Sequence, residues 1–215
     1  FNLDPNLIPT PSNFELLPRS VQKMDLATDV ILNAILNSEN FRIWDMSIRG
    51  FAREFVFDRL AALSGVNLID PTTTGRNRAD KADHAVVNKL GSIDYLQMKG
   101  TSINNCKFDG LNTILSVETQ LTRGRVNDHP TQSRMYYCSD FDYLIIGLEP
   151  SQRLLFEREL NREFSEFGWC FFAIPTSLLD SHPEYSHRVK PIQKFIYREL
   201  KKFEIDGNSI RSMWN

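Results

Sequence analysis

A carboxylate, an amide and an amine lie close together in the middle of the chain, on Asp83, Gln97 and Lys99. Carboxylate and amide oxygens are the hard ligands that Mg²⁺ prefers, and a lysine ammonium can orient water or neutralise a phosphate under attack. These groups are suited to the hydrolysis of a phosphodiester, a reaction in which Mg²⁺ stabilises the charge that develops on phosphorus. We therefore predict a magnesium site at Asp83 and Gln97, with Lys99 beside it.

The segments that carry these residues have the pattern of a β-hairpin. Two apolar runs, residues 85–87 and 93–98, flank the turn-like residues 89–92. Because side chains alternate along a strand, Gln97 and Lys99 are predicted to share one face of the second strand. The hairpin would thus gather the polar groups on one side of a sheet.

The position of the turn decides which residues of the hairpin face each other. A turn centred at residues 90–91 would place Asp83 across from Met98. Gln97 and Lys99 would then be the diagonal neighbours of Asp83, within reach of a shared ion. On this register we expect the three polar groups to converge.

A second acid is needed, because the Gln97 amide brings no charge to hold a divalent cation. Residues 46–63 carry apolar side chains at helical spacing, and Ser64 and Gly65 supply a stop. Glu54 lies on this predicted helix beside its apolar stripe. It is our candidate for the additional ligand.

The remaining segments alternate between helical and strand patterns. Residues 19–39, 151–164 and 189–203 have helical patterns, the last of them basic and amphipathic. Residues 112–122, 141–148 and 169–175 have strand patterns, and the last two are the continuous apolar runs of strands buried on both faces. This order predicts an α/β fold with a central mixed β-sheet flanked by helices.

One arrangement of residues resembles a known family. Asp83 opens an apolar strand, and 13 residues of spacing precede Gln97, Met98 and Lys99. This resembles the PD-(D/E)XK nuclease superfamily, to which most Type II restriction endonucleases belong, in the variant where Gln replaces the second acid. The resemblance covers roughly residues 46–175 and implies a restriction-endonuclease-like fold, with an acidic residue on the first helix at the place of Glu54.

The resemblance implies a Type II restriction-like endonuclease. Such an enzyme would use Mg²⁺ to hydrolyse double-stranded DNA at a specific short site, acting as a homodimer so that two sites address two strands. Two alternatives stay open: a repair, homing or junction-resolving nuclease of the same fold, and a catalytically decayed DNA-binding module. The Gln97 amide, in place of an acid, is the feature that keeps the last alternative open.

The implied organisation is an extended arm at residues 1–17 and a single nuclease domain at residues 18–215, with a DNA-recognition insertion at about residues 101–139. Basic and polar side chains near the predicted site are the candidates for DNA contacts. We expect Arg76 and Arg78 to bind phosphates, Thr101 and Ser102 to contact the scissile phosphate, and Arg123, Arg125, Asn127 and Gln132 to read base edges.

Composition limits the kind of partner. A formal net charge of −2 argues against a protein that coats nucleic acid through bulk positive charge, so any DNA contact is expected to be local. Three scattered cysteines suggest neither a disulfide framework nor a thiolate zinc site. No stretch approaches the roughly 18 apolar residues needed to span a bilayer. We expect a cytoplasmic protein without a membrane partner.

Other polar residues are weaker candidates. Asp80 and Asp94 could compete for the metal, but Asp80 lies in a loop and Asp94 on the face opposite to Lys99. Glu118 and Gln120 repeat the alternation without a following lysine. His84, His182 and His187 are interpreted as structural or surface residues, since no ligand partner lies at a suitable spacing.

Overall fold

The computed structural model describes residues 41–101, 105–109, 112–121, 134–149 and 168–215, with side chains from residue 45 onward. The chain divides into two compact units, residues 1–49 and 50–215, and the sheets described below lie in the second. The predicted arm at 1–17 and the predicted helices at 19–39 and 151–164 lie outside the described residues.

The described residues form three α-helices and nine strands. In order they are α1 Phe41–Leu63, β1 Leu68–Ile69, β2 His84–Val87, β3 Ile93–Gly100, β4 Cys106–Asp109, β5 Asn112–Glu118, β6 Tyr143–Leu148, β7 Cys170–Pro175, β8 Ile192–Ile196, α2 Tyr197–Leu200, β9 Glu204–Ile205 and α3 Gly207–Trp214. The helix predicted at residues 46–63 is confirmed and begins earlier than its apolar pattern indicated.

The strands form two sheets. The main sheet has six strands in the order β1-β2-β3-β6-β7-β9, and the smaller sheet has three in the order β4-β5-β8. Strands β3 and β6 run parallel, whereas the other neighbours in the main sheet are antiparallel. A mixed α/β architecture with a mixed sheet is therefore confirmed.

Two apolar clusters cover the two faces of the main sheet. On one face, Leu96 and Met98 of β3 pack with Phe57 of α1 and Ile210 of α3. On the other face, Tyr95 packs with side chains of the smaller sheet and of α2, including Leu115, Val117 and Leu200. Helices thus cover one face, while β5 of the smaller sheet and α2 pack against the other.

The hairpin register differs by one residue from the prediction. His84 pairs with Leu96, so the same register places Asp83 opposite Gln97 rather than Met98. The loop, residues 88–92, is centred on residue 90, because the Asn88 side chain accepts hydrogen bonds from the backbone N–H groups of residues 90 and 92. This side-chain cap fixes a longer turn than the apolar pattern alone suggested.

The helix predicted at residues 189–203 is wrong. Residues 192–196 form strand β8, which pairs antiparallel with β5, and only Tyr197–Leu200 is α-helical. Within β8, Gln193 is buried, and its amide bonds to backbone groups of Asp180 and Lys190. Pairing with β5 and these bonds outweigh the helical propensity of the basic residues.

Candidate active site

Asp83 and Gln97 meet directly on the hairpin. Oδ2 of Asp83 accepts hydrogen bonds from Nε2 of Gln97 at 2.5 Å and from the backbone N–H of Met98 at 2.7 Å. Burial raises the pKa of Asp83, and the Met98 hydrogen bond and the charge of Lys99 oppose that rise. The register that overturned the predicted pairing brings these two side chains closer together than expected.

The amide oxygen of Gln97, Oε1, indicates most clearly what the site could bind. Gln97 is 2% exposed, and its Oε1 is buried without a hydrogen-bond partner. Gln193, the other glutamine among the buried polar residues, uses both ends of its amide. Because a buried unpaired carbonyl oxygen is costly, Oε1 of Gln97 is suited to a ligand such as a cation.

Lys99 follows Gln97 on the same face of β3. Its Nζ lies 5.3 Å from the centre of the Tyr136 ring. Burial lowers the pKa of Lys99, the nearby charge of Asp83 opposes the shift, and the charge of Arg53 adds to it. A half-buried lysine with a lowered pKa near a carboxylate is typical of functional sites.

Glu54 approaches the same carboxylate from helix α1. Glu54 and Asp83 both line an open pocket of about 670 Å³. Burial raises the pKa of Glu54, and the negative charge of Asp83 raises it further. A cation between the two carboxylates would relieve this repulsion, so these residues fit the predicted metal.

No family model, no curated protein and no solved structure matches this chain. The geometry of the site must carry the functional argument by itself. Within the part of the chain that the structure describes, no three His, Cys, Asp or Glu side chains form a group that could hold a metal ion. The candidate ligands for a cation are the carboxylates of Asp83 and Glu54 and the amide oxygen of Gln97.

The rival candidates occupy other positions. Asp80 lines the pocket with Asp83 and pairs with Lys81. Asp94 accepts hydrogen bonds from Asn88 and from the indole of Trp214, so it is structural. His84 lies 3.3 Å from Asp58 at the pocket wall.

Two predicted phosphate ligands are engaged within the protein. Arg76 bonds to Asp142 at 3.1 Å and lies over the Tyr95 ring. Arg78 forms two hydrogen bonds, at 2.6 and 2.8 Å, to Asp140, whose side chain is 1% exposed. Both guanidinium groups hold the loop before Asp83 in place, and their binding of phosphate stays a prediction.

The other predicted DNA contacts are only partly visible. The Thr101 hydroxyl donates to the carbonyl of Ser116 on β5 at 2.7 Å, which ties the end of β3 to the smaller sheet. Ser102, Arg123, Arg125, Asn127 and Gln132 lie outside the described residues. The described part of the expected insertion contributes β4 and β5.

Two residues near the site were missed by sequence reasoning. Tyr136 is buried under Lys99, and burial together with the charge of Asp83 raises its pKa. Arg53 lies on α1 beside Glu54, and its charge opposes the rise that burial causes in the pKa of Asp83. No sequence pattern pointed to Tyr136. Gly100 and Gly147 did carry a signal for Arg53, because a glycine within or at the end of a strand often marks the place where another group approaches the backbone closely.

No helix within the described residues is long and apolar enough to cross a membrane.

Proposed function

We propose that the chain is a Mg²⁺-dependent endonuclease that hydrolyses phosphodiester bonds of double-stranded DNA. The observation that carries the proposal is the buried, unpartnered Oε1 of Gln97, whose Nε2 donates to the carboxylate of Asp83, with Lys99 next on the same face of β3. The PD-(D/E)XK resemblance supports the same assignment through the order and spacing of these residues.

Each side chain has a defined role in this proposal. Asp83 and Gln97 hold the cation, and Glu54, which lines the same pocket as Asp83, supplies a second negative charge. Mg²⁺ bound there would stabilise the charge that develops on phosphorus and make a nearby water easier to deprotonate. Lys99 positions that water or neutralises the phosphate, and desolvation by burial lowers its pKa below the ordinary value of a lysine.

The biological form of the enzyme is part of the proposal. A Type II restriction-like enzyme would act as a homodimer in the cytoplasm and cut both strands at one short site. Linear plasmid would then form without a build-up of nicked circles. A repair, homing or junction-resolving enzyme would instead prefer nicked, long-site or branched substrates.

The test is cleavage of a supercoiled plasmid with Mg²⁺ or with EDTA. Wild type is expected to cut only with Mg²⁺, and Lys99→Ala is expected to lose roughly 10²-fold or more in rate, as for the loss of one electrostatic group. Lys89→Ala, at an exposed position in the hairpin loop, is the matched control and keeps wild-type activity. Cleavage at the same rate in EDTA as in Mg²⁺, or at the same rate by Lys99→Ala as by wild type, would contradict the proposal.

A second candidate is a DNA-binding module whose catalytic site has decayed. It is favoured by the lack, among the described residues, of any three-residue His, Cys, Asp or Glu group suited to a metal. In that case the protein would bind duplex DNA, and no divalent cation would induce cutting.

A further inference from the structure

Arg53 lies in a groove that only glycines can form. Its side chain crosses the parallel pair β3 and β6 above Gly100 and Gly147, which are register partners. A Cβ on Gly147 would lie 2.6 Å from Cγ of Arg53, and a Cβ on Gly100 would overlap its guanidinium group. Two facing glycines therefore leave the space that the arginine fills.

The groove holds the guanidinium group close to the candidate active site, at the end of β3 and on the face of the sheet opposite to the Lys99 side chain. Gly100 follows Lys99 directly, so the guanidinium lies at the end of the strand that carries Gln97 and Lys99. The charge of Arg53 also opposes the rise that burial causes in the pKa values of Glu54 and Asp83 and adds to the fall in that of Lys99, which indicates that it lies near all three. Its planar fork matches the oxygens of a phosphate.

We infer that Arg53 binds a nonbridging oxygen of the DNA phosphate next to Lys99, and that Gly100 and Gly147 hold its stem in position. This inference rests on the proposed function. Because an arginine stays charged in proteins, the contribution of Arg53 is electrostatic and involves no proton transfer. Lys99 and Arg53 would then face the same phosphate from the end of β3 and from helix α1.

The test measures binding of a fluorescein-labelled DNA duplex in Ca²⁺ over a series of salt concentrations. Arg53→Met is expected to weaken binding roughly tenfold and to reduce the slope of log K against log salt by about 1, as for the loss of one phosphate contact. Arg59→Met removes the same charge from an exposed position on the same helix and is expected to leave the slope unchanged.

A purely structural role for Arg53 gives a different result. If the arginine only fastened α1 to the sheet, Arg53→Met would lower the melting temperature while the salt slope stayed at its wild-type value, and that result would overturn the inference. Should Arg53→Met fail to fold, Arg53→Lys keeps the charge without the fork. It is expected to retain the slope and to bind more weakly than wild type, and wild-type affinity would contradict the bidentate contact.

Gly147→Ala tests the groove, because its methyl group displaces the arginine stem. It is expected to weaken binding to the same degree as Arg53→Met, and the double variant is expected to show no further loss. Additive losses in the double variant would contradict the claim that Gly147 acts through Arg53.

Plasmid cleavage separates this inference from the proposed function. If wild type binds the duplex with an Arg53-dependent slope but never cuts with Mg²⁺, the phosphate contact stands and the endonuclease proposal fails. If both wild type and Arg53→Met cut at equal rates with equal slopes, the proposal stands and the phosphate contact fails. A wild-type protein that binds no duplex overturns both.

Discussion

Changing Gln97 to Glu tests the contact on which the candidate site depends. The substitution removes the amide that donates to Asp83 at 2.5 Å and puts a second carboxylate in its place. A hydrogen bond to a charged group contributes about 1.5–3 kcal/mol. In a protein of this size each kcal/mol corresponds to roughly 2–4 °C, so we expect a melting temperature about 3–12 °C lower in EDTA at pH 8.

Magnesium should reverse this loss, because two facing carboxylates are better ligands than a carboxylate and an amide. At a hundredfold excess over its dissociation constant, a cation that binds only the folded state adds about 2.7 kcal/mol, which is enough to cancel the loss. Gln97→Met is the matched control. It removes the same hydrogen bond but provides no ligand, so its melting temperature should fall in EDTA and stay low with Mg²⁺.

The assay is thermal unfolding of wild type and of both variants, with EDTA and with a series of MgCl₂ concentrations. Two results would contradict this prediction. Wild-type stability of Gln97→Glu in EDTA would mean that the amide does not contact Asp83. Equal melting temperatures of the two variants at saturating Mg²⁺ would mean that no cation binds at this position.

Three further predictions follow from the site and from the ion pairs around it. Lys99→Met is expected to melt at or above the wild-type temperature, because desolvation lowers the pKa of Lys99 and the fold therefore disfavours its charged form, while plasmid cleavage is lost; a large fall in stability would contradict this. Glu54→Gln should melt at a higher temperature than wild type at pH 8 without metal. The pKa of Glu54 is raised in the fold, so the favourable contribution of its carboxyl group to stability is complete below about pH 4.3 and is lost as the pH rises through the raised value. The gap in melting temperature between Glu54→Gln and wild type should therefore close toward pH 4, and a gap that widens on acidification would count against it. Arg78→Met leaves the buried Asp140 without its ion-pair partner and should lower the free energy of unfolding, measured with denaturant, by about 2–3 kcal/mol. The loss is somewhat less than for a fully buried pair because Arg78 is partly exposed. Asp140→Asn in the same background should recover part of that loss, and no recovery would show that the pair is not the cause.

Local patterns were sufficient for the hairpin and for the faces of its strands. Alternation along β3 correctly placed Gln97 and Lys99 together, because the side-chain period of a strand is fixed by its backbone. The register was off by one residue, since the turn length depends on the Asn88 side chain rather than on hydrophobicity. Such caps are specific interactions that apolar periodicity does not contain.

Contacts between distant segments were beyond the reach of local patterns. Arg76 and Arg78 looked like free cations beside Asp83, yet they pair with Asp142 and Asp140 more than sixty residues away. The groove of Arg53 arises only when β3 and β6 pair. Charges and glycines therefore take their roles from the tertiary structure, which one sequence does not display.

The surroundings of Lys99 and Gln97 also depend on segments that lie far away in the sequence. Lys99 lies above the ring of Tyr136, a residue that follows β3 at a long distance in the sequence. The unpaired oxygen of Gln97 results from this enclosure, because an exposed amide would bond to water. The sequence thus indicated which residues could bind a cation, and the fold buries the Gln97 oxygen that is the candidate ligand among them.

The most direct test of the account is a crystal of the protein soaked in Mn²⁺, with data collected at the manganese absorption edge. We predict an anomalous peak between Asp83 and Gln97, at about 2.1–2.2 Å from a carboxylate oxygen and from Oε1, as expected for a small hard cation. A peak elsewhere in the pocket, or a fully occupied water in place of the metal at saturating Mn²⁺, would contradict the account.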